Sequence, residues 1–254
     1  MRPANLIWAL IRREIATRFG SGGAAYIWAF IVPISWVGFG IIAFTAIDRA
    51  IPISTHPALF LATGILPYVV FRQSVTYVMR SLQTNRRLID LPGIALFDLF
   101  IAYALLEGLT TALVVMLVLT GLTFWLGATG PDALVNVLAI FLFIWLLGSA
   151  VGLILVIFAH RYSALTRIVP LALRPFFWIS GVFFVAAELP AHWQVMLSFN
   201  PLFPAIDELR DAYFSSYISP VFSAETSLLS LGLAFALALG ILVKLPFQNG
   251  VVAR

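Results

Sequence analysis

Three observations predict the fold class. Apolar segments long enough to cross a bilayer recur along the chain, charged residues are scarce, and the basic ones gather in alternate loops. Together they predict an all-α integral membrane protein with six transmembrane helices. An amino-terminal amphipathic helix precedes them, and a pair of re-entrant outer helices lies between spans 5 and 6. Of the 254 residues 62% are hydrophobic and 10% charged, against roughly 25% charged in an ordinary soluble domain. The absence of cysteine excludes disulfides, thiolate metal sites and cysteine nucleophiles.

The amino-terminal element is Leu6-Ile-Trp-Ala-Leu-Ile-Arg-Arg-Glu-Ile-Ala-Thr-Arg-Phe-Gly20. Ile7, Ile11, Ile15 and Phe19 recur every fourth residue and so line one side of a helix, with Trp8 beside them. Arg13, Glu14 and Thr17 fall on the opposite side, Arg12 and Arg18 flank the stripe, and Glu14 and Arg18 are spaced for an i,i+4 pair. Such a helix is expected to lie in the membrane interface. Leu6 and Leu10 break the polar side; they face either a protein partner or the chain's own fold. No signal-peptide pattern is visible, so the first span is expected to direct insertion.

Six spans follow, each near the ~20 residues a bilayer core requires: Ala25–Ile47, Leu59–Met79, Leu96–Leu126, Leu134–Ala159, Ile168–Ala187 and Ser227–Val243. The stretch Glu188–Thr226 contains two short apolar segments broken at Asn200-Pro201, neither able to cross alone, which predicts a re-entrant or interfacial hairpin. The chain thus divides into a cytoplasmic amphipathic helix (1–24), spans 1–5 (25–187), the outer segment (188–226) and span 6 with its tail (227–254).

With six spans both termini share a side. That side collects twelve of the fifteen basic residues, among them Arg2, Arg12, Arg13, Arg18, Arg80, Arg86 and Arg87. The asymmetry predicts that both termini are cytoplasmic. It also accounts for the net charge of +4 without a nucleic-acid partner.

No enzyme constellation emerges. His56, His160 and His192 lack metal-ligand spacing, and no lysine follows Gly20-Ser-Gly-Gly23, so a Walker-type phosphate loop is missing and ATP cannot be this chain's own cofactor. Gly148-Ser149 suits close helix packing. Glu107, deep in the third span, faces protein or water and serves either a structural bond or transport; Arg72 lies where its side chain can snorkel. The loop Ser81–Pro92 sets Leu82, Leu88 and Ile89 among Arg86, Arg87 and Asp90. It suits docking into a cytoplasmic partner or an interfacial connector equally. Twelve of the 36 aromatic residues fall within residues 176–222. Trp178, Phe183 and Phe184 are the candidates there for a path along which sugar rings slide; an interfacial aromatic belt is the alternative.

Several motifs in order resemble a known family. They are Arg13-Glu-Ile-x-x-Arg18-Phe-Gly with Tyr26-x-Trp28 and Pro33, Asn85-x-x-Leu88-Ile89, Leu105-Leu106-Glu107, and Pro170-x-x-x-Arg174-Pro175 with Ile179-Ser180-Gly181. Glu188-Leu-Pro190, Asn200-Pro201-Leu202 and Arg210 complete the set. The chain resembles the ABC-2 type permeases that export polysaccharides, in particular the capsular-polysaccharide exporter permeases of the KpsM type. Two residues depart from the pattern: Tyr103, where a basic residue is expected before Leu-Leu-Glu, and Arg72. The resemblance implies a single transmembrane domain working as a homodimer with two ATP-binding subunits that carry ATP and Mg. It also implies a bacterial inner-membrane location, a lipid-linked polysaccharide as substrate, and periplasmic and outer-membrane export partners. Leu6, Leu10, Arg13, Glu14 and Arg18 would then belong to an interface helix beside the ATPase, and Asn85, Arg86, Arg87, Leu88 and Ile89 to a coupling helix. Glu188, Asn200, Pro201 and Arg210 would form outer helices capping a path lined by Trp178, Phe183, Phe184 and Glu107. Within the same class the alternatives are O-antigen, teichoic-acid or small-molecule export. Outside it they are an ion-coupled secondary transporter leaning on Glu107 and Arg72, or a non-transporting scaffold.

Overall fold

The computed structural model describes residues 3–19, 24–85 and 96–221, together with Ala234. Every regular element among them is helical. The long elements are α1 (Pro3–Phe19), α2 (Ala24–Ala46), α3 (Pro57–Thr84), α4 (Leu96–Leu126), α5 (Leu134–Arg161) and α6 (Leu165–Ile179). A 3₁₀ turn at Ala186–Glu188 leads to the short helices α7 (Ala191–Leu197) and α8 (Leu202–Tyr213). Three stretches are long and apolar enough to cross a membrane, Pro57–Thr84, Phe97–Leu126 and Leu134–Val156, and α2 adds the shorter apolar run Phe30–Ala46. The expected third span has the bounds of α4. The expected sixth span, Ser227–Val243, lies outside the described residues.

α3 is the axis of the fold. It starts where Pro57 can occupy the first helical position without wasting an N–H, and His56 Nδ1 accepts from the Ala58 N–H at 3.2 Å. Residues 57–71 are almost all apolar, and Phe60, Leu61, Ala62, Ile65, Leu66, Val75 and Met79 are fully covered. A helix of this kind is stable only when neighbours wrap it. α5 wraps it most closely, through glycines four residues apart. A Cβ on Gly148 would lie 2.8 Å from the Phe71 carbonyl oxygen, and one on Gly152 would lie 2.8 Å from that of Val75. The expected small-residue packing at Gly148 is therefore a backbone-to-backbone contact. The outer faces of α2, α4 and α5 expose Ile34, Phe39, Leu113, Phe124, Trp125 and Val135, an apolar surface suited to lipid.

Two expectations require correction. The fifth span was expected over Ile168–Ala187, but α6 stops at Ile179, and its 15 residues reach only about 22 Å. Gly181 terminates it at φ +76°, a left-handed conformation that glycine adopts without strain. α6 runs through Pro170 and Pro175, and the carbonyl of Thr166 that Pro170 leaves without a helix partner accepts from Arg80 Nη2 at 3.0 Å. The second correction concerns α1, where Leu6, Leu10 and Glu14 were assigned to the polar side; its apolar face packs on α4. Leu10 and Ile11 are buried against Leu99, Ala102, Tyr103 and Leu106, with Leu6, Ile7 and Ile15 packed around them. The exposed positions are Asn5, Trp8, Ala9, Arg12, Arg13, Ala16 and Thr17. Leu6, Leu10 and Glu14 thus sit on the packed half of the helix, because that half is centred between their row and the isoleucine row.

Replacing Gly152 with valine should separate α3 from α5 and cost about 1–3 kcal/mol. Thermal unfolding of the detergent-solubilised protein checks this; an unchanged midpoint would show that the contact relaxes freely.

Candidate functional site at the two ends of α3

Of the expected functional residues, Arg13, Glu14 and Asn85 lie at one end of α3 and Glu188, Asn200, Pro201 and Arg210 beyond the other; its 28 residues span about 42 Å. At its carboxy-terminal end Asn85 is the C-cap and is buried. Its Nδ2 donates to the Ser81 carbonyl at 2.9 Å and to the Tyr103 hydroxyl oxygen at 2.7 Å. Arg13 Nη1 donates to Asn85 Oδ1 at 2.7 Å, and Tyr103 donates to Glu14 Oε2 at 2.6 Å. α1, α3 and α4 therefore meet through Arg13, Glu14, Asn85 and Tyr103. The side chain of Arg18 and the whole of Arg86, Arg87, Leu88 and Ile89 lie outside the described residues. On the open side of α1, Arg12 sits 5.9 Å from the Trp8 ring.

At the amino-terminal end of α3 the loops after α6 close into a cap around Arg210. This guanidinium is fully buried, donating from Nη1 to the carbonyls of Gly181 (2.6 Å) and Phe184 (2.7 Å) and from Nη2 to that of Val182 (2.7 Å). Its planar fork matches carbonyls turned in different directions, and Phe60 of α3 lies face-on to it at 4.1 Å. α3 makes room with Gly64, where a Cβ would lie 2.6 Å from the Val182 oxygen. Burial pulls the Arg210 pKa down to about 10, opposed by Asp207, so the group stays charged at neutral pH.

One turn before Arg210, Asp207 accepts from the Ala186 N–H (2.9 Å), the Tyr217 hydroxyl (2.8 Å) and the Ser219 hydroxyl (2.7 Å). Asn200 Nδ2 donates to Ser180 Oγ at 2.9 Å, and Pro201 supplies the N-cap position of α8. Glu188 accepts from the Val185 N–H at 3.2 Å and pairs with Arg49 at 3.6 Å. All four residues expected in the outer segment thus belong to one structure.

Beside this cap an aromatic surface is organised around Phe177. Its ring centroid lies 4.9 Å from Tyr68, 5.1 Å from Phe183, 5.5 Å from Trp36 and 5.7 Å from Trp178. Trp178 and Phe183 are neighbours at 5.1 Å, with Trp178 largely exposed. Among the described residues no group of three or more His, Asp or Glu could hold a metal ion.

A family model for the ABC-2 type transporter matches residues 5–214. The chain belongs to this family. The ABC-2 match runs from α1 through the end of α8 and so includes both ends of α3. The polysialic acid transport protein KpsM of Escherichia coli is 28% identical over 217 residues, covering 83% of this chain and 82% of KpsM. The capsule polysaccharide export inner-membrane protein BexB of Haemophilus influenzae is 26% identical over 253 residues, 97% of this chain and 92% of BexB. The corresponding protein CtrC of Neisseria meningitidis is 23% identical over 256 residues, with the same two shares of 97% and 92%.

In this ABC-2 chain the four expected path residues do not share one surface. Trp178 and Phe183 do; Phe184 packs instead on Phe203 at 6.0 Å, and Glu107 of α4 is buried at 1% exposure. An apolar groove of about 1220 Å³ between α4 and α5, lined by Leu105, Met116, Phe124, Leu142 and Trp145, is separate again. Trp36 was not singled out by the sequence, and Phe177 was counted in the aromatic cluster but not chosen, because aromatic residues in an apolar run carry no mark of partnership. Tyr103 was noticed only as a departure, since its partners Glu14 and Asn85 are 89 and 18 residues away.

Arg210→Met should leave three carbonyls without their donor and Asp207 without its neighbouring charge, costing about 3–5 kcal/mol. Arg210→Lys, which lacks the fork, should fall between the two. Folded yield and thermal midpoint measure both. Glu208 supplies a pH test: burial, then Asp211 and Asp207, push its pKa up to about 7. The folded state thus binds this proton more tightly than the unfolded chain. The contribution is full below the ordinary carboxylate pKa and is lost as pH rises through about 7. Glu208→Gln should therefore flatten the decline in thermal midpoint between about pH 5 and pH 8.

Proposed function

We propose that this chain is the transmembrane subunit of an ATP-driven exporter that moves lipid-linked capsular polysaccharide across the bacterial inner membrane. The observation that carries the reading is an ABC-2 match extending over α1 to α8, joined to relatives whose names all concern polysialic acid transport or capsule polysaccharide export. Two copies would form the transmembrane unit, and ATP and Mg would reside on two separate ATP-binding subunits. The segment Thr84–Leu91 and the exposed face of α1 around Trp8, Arg12 and Arg13 are the parts offered to those subunits. Both termini would be cytoplasmic, which the basic residues of α1 favour. α7 and α8 would form the re-entrant outer pair, and the sixth span would follow them. Partners in the periplasm and outer membrane would receive the polymer. Trp178 and Phe183, flat and side by side, suit sugar rings that slide past without tight binding.

Purification of the tagged chain with the ATP-binding protein encoded beside it tests the assembly. Reconstituted in vesicles with its ATPase sites outside, the complex should import a lipid-terminated acidic polysaccharide only with hydrolysable ATP. Nucleotide-independent transport driven by an ion gradient would overturn the reading. Trp178→Ala and Phe183→Ala should each lower polymer transport about fivefold, equivalent to about 1 kcal/mol, at unchanged protein abundance. Phe184→Ala should lower abundance instead, because its ring packs on Phe203 of α8.

A further inference from the structure

We propose that Tyr103 is a positioning residue for energy coupling: its hydroxyl closes the hydrogen-bond circuit that fixes α1 against the carboxy-terminal end of α3, so that a push on either element moves both. The inference rests on the ATP-driven reading above and deepens it.

Four side chains form a closed circuit. It leaves α1 at Arg13, crosses to Asn85 on α3, passes to Tyr103 on α4 and returns to α1 at Glu14, the neighbour of its starting point. Every donor points the same way around it, from the Arg13 cation to the Glu14 carboxylate. Between an amide N–H that must donate and a carboxylate that must accept, the linking atom has to do both. A hydroxyl does this; phenylalanine, of nearly the same shape, does neither. Asn85 and Tyr103 are 3% and 4% exposed, so water is poorly placed to substitute for the missing link. Asn85 is also bound to the Ser81 carbonyl in the last turn of α3, which ties the circuit to the helix backbone.

Apolar packing alone would not achieve the same end. Leu10 and Ile11 lie on Leu99 and Leu106 without directional bonds, and such a contact tolerates sliding and rolling. The circuit specifies one register of α1 against α3. From there α3 runs buried to Gly64 and Phe60, where it meets the Arg210 cap, so a displacement held at Asn85 is transmitted towards the far end.

The test compares wild type with Tyr103→Phe, Glu14→Gln, Glu14→Ala, Asn85→Ala and the Tyr103→Phe/Asn85→Ala double variant. Polymer moved per ATP hydrolysed is measured in the reconstituted complex, and amide hydrogen exchange of α1 in the detergent-solubilised chain alone. Tyr103→Phe should keep its abundance and ATP hydrolysis within about twofold, lower the transport-to-hydrolysis ratio about fivefold and speed α1 exchange about tenfold. Glu14→Gln, which keeps an acceptor oxygen, should stay closer to wild type than Glu14→Ala. The double variant should be no worse than its worse parent, as expected for residues acting in one chain. A wild-type ratio in Tyr103→Phe, or additive effects in the double variant, would overturn the proposal. If wild type itself shows no ATP-dependent transport, the exporter reading fails, and unchanged α1 exchange in Tyr103→Phe would then separately refute the fastening.

Discussion

The arrangement depends on the approach of two helix backbones. Gly148 and Gly152 of α5 leave no room for a methyl group against the Phe71 and Val75 carbonyls of α3. With that contact made, the sides of α3 are covered by neighbouring helices, and its apolar residues are shielded from lipid as well as water. The helix becomes a fixed shaft. In a bilayer this matters more than in water, since burial of one apolar surface against another offers little gain over lipid, and close packing must hold the helices together.

Both ends of α3 solve the same problem. Turns and helix termini carry polar backbone groups without helical partners, which are costly to bury unpaired. At one end Arg210 gathers three carbonyls beyond α6, and Asp207 accepts from the neighbouring turn. At the other, Asn85 caps α3 and joins it to α1 and α4. Each end is thus a junction of three or more segments held by charge-assisted or cooperative hydrogen bonds, which are directional where apolar packing is not.

The aromatic surface contributes in another way. Phe177 meets Tyr68, Trp178 and Phe183 in edge contacts and Trp36 in a tilted one, so the exposed ring of Trp178 rests on a supported layer. Glu107 has a different setting. On α4 its side chain is 1% exposed and makes none of the ring contacts of that surface. The two features that looked alike as path candidates therefore separate into an exposed aromatic face and a buried carboxylate.

By itself the sequence determined the helical membrane class, the bounds of α4, the division of the outer segment into two short helices around Asn200-Pro201, and the family. Each of these follows from local composition, periodicity or motif order. Only the tertiary structure decided that α1 packs on α4, that Leu6, Leu10 and Glu14 lie on its covered half, that α6 ends at Ile179, and that Phe184 pairs with Phe203 while Phe183 pairs with Trp178. The reason is physical distance along the chain. A half-apolar helix packs equally well on lipid or on protein, and the choice is made by Leu99 and Tyr103, some 90 residues onward. Likewise α6 ends where Arg210, about 30 residues later, gathers the carbonyls of the turn beyond it. Such selections depend on which surfaces meet, and no pattern within a single helix encodes them.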